Sequence, residues 1–216
     1  MNRIIKILFF ALIIKPLVLI VLGINLRGRE KLPVKGPAII AANHNSHLDA
    51  LVLMSLYPLT SIHKIRPVAA ADYFLSNRLL AWVSLHCLDI VPFNRSGHVD
   101  KDKLFSGCHQ ALDNGDILIL FPEGSRGSPE KISKIKKGLF YLARERSDIK
   151  ITPIAIYGLG RALPRGEALF VPFNCDVIVG DPLPEAESST VFIENITQSF
   201  VELFTQCLTR HSDELL

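Results

Sequence analysis

The chain has 216 residues, 49% of them apolar, and a formal net charge of +3. That length suits one α/β domain with a full core, and no second composition regime divides it. So small a positive surplus argues against a nucleic-acid partner, while a mean hydropathy of +0.29 is high for a chain that never meets lipid.

Ile4 to Leu26 is almost wholly apolar, interrupted by Lys6, Lys15, Pro16 and Asn25 and flanked by Arg3 on one side and Arg27, Arg29 and Lys31 on the other. About 20 apolar residues cross the ~30 Å of hydrocarbon in a bilayer, so the length allows a span. Lys15 near the middle, with Pro16 beside it, opposes one. Basic residues at both ends suit a segment that dips into one leaflet and keeps its flanks at the cytoplasmic surface. Residues 1–26 are therefore read as a membrane-anchoring helix and 27–216 as the folded domain. Monotopic attachment is preferred to a single pass, and a helix packed on the domain's own core is the third reading. No small-residue cleavage site follows the run, as a signal peptide would need.

Leu32 to Pro37 is turn-like, and Ala38 to Ala42 reads as a buried strand. Ser46 followed by Asp49 resembles a capping box with Asp in place of Glu, so a helix is expected from about Leu48 to Tyr57, ending before Pro58. A strand is expected over Arg66 to Ala70 and a helix over Phe74 to Leu85, carrying the single Trp82 as a core or membrane-facing anchor. Asp100 to Leu112 has a helical pattern closed by Asn114-Gly115. Ile117 to Phe121 is an unbroken apolar run, as in a central strand covered on both faces. Further on come a helix from Gly138 to Arg146, a buried strand from Ile151 to Tyr157, two edge strands (Ala168 to Phe173 and Asp176 to Val179) and an amphipathic helix from Phe192 to Leu208. Strands alternating with helices predict an α/β fold with a mostly parallel central sheet flanked by helices. Cys87, Cys108, Cys175 and Cys207 lie far apart in no metal or redox spacing and read as reduced thiols in a cytosolic setting.

The chemistry concentrates where the first strand hands over to a helix, at Asn43-His44-Asn45-Ser46-His47-Leu48-Asp49. Strand ends in open sheets converge on a crevice at such handovers. An ideal helix would put His44 and Asp49 on different faces, but a turn can fold the carboxylate back onto the imidazole. It would then fix the tautomer and stabilise the imidazolium, the general-base half of a triad without its serine. Other readings stand beside this one: Asp49 as a helix cap only, His44, His47 and Asp49 as metal ligands, or Ser46 or Ser125 as a nucleophile. The metal reading lacks a known ligand spacing, and neither serine sits in G-x-S-x-G. Phe121 to Gly127 is a second candidate loop. Its glycines allow close backbone approach, Arg126 offers a planar fork for phosphate oxygens, and Glu123 could orient Arg126 or a substrate hydroxyl. Arg95 could supply a second cation. Lys131, Lys134, Lys136 and Lys137 are either a solvated face or a contact for anionic lipid, coenzyme A phosphates or an acidic carrier protein.

Taken together, these residues resemble the glycerophospholipid acyltransferases, and within them the 1-acylglycerol-3-phosphate (lysophosphatidate) acyltransferases. Four blocks occur in the family's order: Asn43 to Asp49 as its H-x4-D signature, Ile90 to Arg95 as the strand ending in a phosphate-binding arginine, Phe121 to Arg126 as its F-P-E-G-T-R, and Ile151 to Ile156 before Gly158. Ser125 replaces the usual Thr, and Asn94 stands where Asp is common. The resemblance implies a transferase moving a fatty acyl group from acyl-coenzyme A or acyl carrier protein to the sn-2 hydroxyl of a lysophospholipid at the cytoplasmic face of a membrane. His44 would be the base and Asp49 its support, and Arg95, Glu123, Gly124, Ser125 and Arg126 would bind the acceptor. No metal or resident cofactor is implied. Alternatives are a relative acting on glycerol 3-phosphate, a lysophospholipid with a head group or a lyso-aminolipid, a non-catalytic membrane lipid-binding protein, and a hydrolase using Ser125.

Overall fold

A computed structural model describes residues 2–71, 77–93, 104–127, 131–162 and 174–209. Residues 2–21 form one continuous helix, made of α1 (Asn2–Phe9), a π turn (Phe10–Ile14) and α2 (Lys15–Val21). Lys6, Phe10, Ile14, Val18 and Leu22 recur every fourth residue and are all buried. In an ideal α-helix each such step overshoots a turn by about 40°, so the stripe would wind away from its partner. The wider π turn takes up part of that drift and keeps the stripe on the core.

The expectation of a possible span is corrected here: among the described residues, no helix is long and apolar enough to cross a membrane. The apolar run stops being helical at Leu22, which is extended, and its last residues belong to strand β1 (Gly23–Arg27). Those residues sit in the sheet, beyond the end of the helix.

Six more strands follow: β2 (Ala38–Ala42), β3 (Ile65–Ala70), β4 (Val91–Phe93), β5 (Ile117–Leu120), β6 (Ile151–Tyr157) and β7 (Asn174–Val179). They form one seven-stranded sheet in the order β1-β7-β6-β2-β5-β3-β4. Every pairing is parallel except β6 with β7, so β1 and β7 run opposite to the other five strands. β2 and β6 span the residues expected from sequence. β7, expected at an edge, lies inside the sheet because β1 covers it. Its anticipated partner, residues 168–173, lies outside the described residues.

Both faces of the sheet are covered. Ala38, Ile40 and Ala42 of β2, with Ile117 and Ile119 of β5, meet α1, α2 and α3 (Asp49–Ser55) on one face. Ile39, Ala41 and Leu118 point the other way, into α5 (Ser106–Asp113), α6 (Gly138–Glu145) and α8 (Ser189–Phe204). This two-sided burial is why the central strands read as continuous apolar runs. α4 (Arg78–Trp82) continues as a π turn (Val83–Leu88) that packs along α1. α7 (Leu159–Ala162) is a short turn after β6. α5 ends in a Schellman motif, with Gly115 at φ 71° and the Gly115 and Asp116 amides donating to Leu112 and Ala111 carbonyls. All four cysteines are free and buried.

Candidate active site

β2 and β5 are parallel neighbours, so the loops leaving their C-terminal ends meet. The first carries Asn43 to Asp49 and the second carries Phe121 to Gly127. Asn43 fixes the start of the first loop. Its amide Nδ2 donates to the Ile156 carbonyl at 2.8 Å and its Oδ1 accepts from the Ile156 N–H at 2.7 Å, a side chain standing in for the next residue of the β2–β6 ladder.

His44 then turns back over the sheet edge. Its Nδ1 lies 2.8 Å from Asp49 Oδ2, and the same oxygen accepts the N–H groups of Asn45 at 2.7 Å and Ser46 at 2.8 Å. Asp49 therefore supplies the reciprocal half of the expected capping box. The other half differs, because the Ser46 hydroxyl accepts from Leu48 N. Asp49 is wholly buried at the start of α3, where the helix dipole favours a negative charge. The Phe121 ring stacks on the imidazole, with centroids 4.1 Å apart and planes 19° from parallel. That stack and the Asp49 contact fix the ring in two dimensions. Asp49 Oδ1 and both amide atoms of Asn45 are buried without a protein hydrogen-bond partner, so unsatisfied polar groups gather beside His44.

The second loop braces the first from behind. Glu123, 1% exposed, accepts the His44 N–H at Oε1 (2.8 Å) and the Ser133 N–H at Oε2 (2.9 Å). The Gly127 N–H donates to the His44 carbonyl at 3.0 Å. Glu123, expected among the acceptor-binding groups, is here a buried support for the His44 backbone. Gly124 adopts φ 71°, and a Cβ there would lie 2.9 Å from the Lys136 ammonium, so the Lys136 side chain folds over the loop at this glycine. Ser125 is exposed, Arg126 half-buried, and Arg126 Nη1 contacts His47 Nε2. Desolvation at this crowded end of an otherwise open residue, followed by the Arg126 cation and the His44 ring, pushes the His47 pKa down, and Asp49 opposes the shift. The two imidazoles therefore face different partners, and among the described residues no group of three His, Cys, Asp or Glu side chains is placed to hold a metal.

The structure thus brings together His44, Asp49, Glu123, Gly124, Ser125 and Arg126. Arg95 lies outside the described residues. Reading the sequence alone missed Asn43 and Phe121 as positioning residues, and His47 as a neighbour of Arg126. The apolar-to-polar switch at Asn43 was the one local signal. The rest depends on which strands are neighbours.

A buried carboxylate on an imidazole, beside a cationic loop at the C-terminal edge of a parallel sheet, is an arrangement that can support proton transfer next to an anionic group. The Acyltransferase family model matches residues 23–157, and the chain belongs to that family. It is 28% identical over 162 residues to the chloroplastic 1-acyl-sn-glycerol-3-phosphate acyltransferase LPAT1 of Arabidopsis thaliana, covering 74% of this chain and 43% of that protein. Against 1-acyl-sn-glycerol-3-phosphate acyltransferase alpha of Homo sapiens the identity is 26% over 164 residues, covering 74% of this chain and 55% of the relative. The chain thus spans about half the length of these relatives. The crystal structure of the 1-acyl-sn-glycerophosphate acyltransferase PlsC from Thermotoga maritima shares the fold, with a TM-score of 0.67 at 20% identity over 87% of this chain and 73% of that one.

Proposed function

We propose that this chain transfers a fatty acyl group from a thioester donor, acyl-coenzyme A or acyl carrier protein, to the sn-2 hydroxyl of 1-acylglycerol-3-phosphate. The observation that carries this reading is the 2.8 Å contact between His44 Nδ1 and the buried Asp49 Oδ2, with Arg126 on the adjoining loop. The carboxylate keeps the proton on Nδ1, which leaves Nε2 as the base. Nε2 takes the proton of the sn-2 hydroxyl as its oxygen attacks the thioester carbonyl, and Asp49 stabilises the imidazolium so formed. The tetrahedral adduct collapses with loss of the thiolate, to which the imidazolium returns its proton, so the ester and the free thiol leave together. Arg126, with Gly124 and Ser125, holds the acceptor phosphate, and Arg95 is proposed as its second cation. The chemistry asks for no metal and no resident cofactor. The names of the relatives agree with a lysophosphatidate acceptor.

The membrane reading belongs to the same proposal. α1, its π turn and α2 bury one stripe in the core and leave Ile4, Leu8, Leu12, Ile13 and Ile20 exposed, and α4 with its π turn adds Leu79, Trp82 and Leu85. Arg3 and Arg78 are exposed beside these apolar side chains. An apolar face rimmed by basic residues suits monotopic attachment to one leaflet of an anionic membrane at its cytoplasmic side, where both the lysophospholipid and the product reside.

The test is an acyl-transfer assay on purified protein in detergent, with acyl-coenzyme A and a panel of acceptors with and without phosphate. His44→Ala is expected to lose roughly 10²–10⁴ in kcat towards every acceptor. Arg126→Ala is expected to raise KM chiefly for phosphate-bearing acceptors. Unchanged turnover in His44→Ala would discard the base assignment, and thioester cleavage without an acceptor would point to a hydrolase.

A further inference from the structure

His47 has no part in the chemistry described so far, yet its Nε2 meets Arg126 Nη1. In the free protein the guanidinium donates to a neutral imidazole, an arrangement that fixes the Nδ1–H tautomer of His47. A phosphate monoester arriving at Arg126 changes this in two ways. It takes over the N–H donors of the guanidinium, and it sets a dianion beside an imidazole whose Nε2 lone pair would face an oxyanion. A lone pair against an oxyanion is repulsive, whereas the same nitrogen carrying a proton is a charge-assisted donor.

Among the described residues, the charged and titratable groups that act on His47 include Arg126 on the loop after β5 and His44 and Asp49 on its own turn, and the Lys136 ammonium lies over Gly124 on the Arg126 loop. Asp49 is committed to His44 and two backbone amides. Desolvation and the positive neighbours therefore disfavour the charged form of His47, and a bound dianion reverses the sign of the local field.

We propose that His47 is a proton-linked part of the acceptor site: binding of the phosphate monoester draws one proton from solvent onto His47 Nε2, and the imidazolium then donates to a phosphate oxygen alongside Arg126. This rests on the reading that Arg126 grips the acceptor phosphate. Two histidines on one turn then work in opposite protonation states. His44 carries Asp49 and must be neutral at Nε2 to act as base, whereas His47 must be charged to bind. Over the window between the free and bound pKa values of His47, a fall in pH strengthens acceptor binding.

His47 is exposed, so His47→Gln should fold normally, and its amide oxygen can still accept from Arg126 without titrating. A short-chain 1-acylglycerol-3-phosphate, kept below its micellar concentration and without acyl donor, is titrated calorimetrically into the full chain in buffers of different ionisation enthalpy. Wild type is expected to take up more protons per ligand bound than His47→Gln. The protonation of the free ligand is common to both titrations. In turnover at about pH 6.5, the variant is expected to show an acceptor KM raised about tenfold with little change in kcat. Equal proton uptake and equal KM in the two proteins would overturn the proposal. Arg126→Ala, run in parallel, separates the two layers. If it leaves acceptor binding intact, the phosphate reading itself fails, and if it weakens binding while His47→Gln changes nothing, only the proton linkage falls.

Discussion

One oxygen of Asp49 serves three donors: the His44 ring and the amides of Asn45 and Ser46. The contact that orients the His44 ring is therefore also the contact that shapes the turn, which explains how two residues on different faces of an ideal helix meet. Asp49→Asn keeps the shape but offers a neutral acceptor and no charge for the imidazolium. The expected outcome is a loss of about 10²–10⁴ in kcat with a stability cost of only about 1–2 kcal/mol, read from kinetics and thermal melts. A fully active variant would mean that Asp49 only caps the helix. At this scale the sequence revealed the types and spacing of His44 and Asp49 but not their supports. Glu123 lies 79 residues from His44, and Ile156 lies 113 residues from Asn43, so neither partner can be found before the order of the strands is known.

Among the elements, those buried on both faces were the easiest to read, because a continuous apolar run has few other homes: β2 and β6 span the expected residues. The N-terminal segment was harder. Lys6 looked like an interruption of an apolar run, whereas the residue is 1% exposed and its ammonium donates to the Ile65 carbonyl of β3 at 2.8 Å. Burial pushes its pKa down from 10.5 to about 8, the Arg66 cation adds to the shift, and Asp89 and Asp116 oppose it. Below about 8 the amine is charged in both folded and unfolded chains, and the fold bears the full desolvation penalty, on the order of 3 kcal/mol. As pH rises towards 10.5 the folded form sheds its proton first, so this penalty is relieved and stability rises. The buried Cys108 thiol, pushed up to about 12, and the Tyr57 phenol, also raised, act with the opposite sign at high pH. The measurement is therefore a difference: chemical denaturation of wild type and Lys6→Met from pH 8 to 10 should show the wild type gaining on the variant. Parallel curves would mean that Lys6 is not held in a dry site.

For the whole molecule, an exposed apolar face on α1, α2 and α4 lies on a domain whose other side is closed by α5, α6 and α8. Trp82, 49% exposed and the chain's single tryptophan, reports on this face. Anionic phospholipid vesicles should shift its emission to the blue and sediment the protein, and Leu12→Asp with Ile20→Asp should weaken both effects by tenfold or more, since a buried apolar side chain contributes about 1.5–3 kcal/mol. Identical sedimentation of wild type and double variant would remove these helices from the membrane reading. The overall fold class was legible from the alternation of strands and helices. The covering of β7 was not, because β1 is hidden at the tail of the apolar run.

That tail has a mechanical consequence. A single residue, the buried Leu22, separates the helix from β1, and β1 is zipped in register to β7 from Gly23 to Arg27. With no slack linker between them, the segment cannot swivel like a tether. Whatever surface it rests on also sets the tilt of the whole sheet and, on the proposed function, the direction from which a lipid acceptor would slide in.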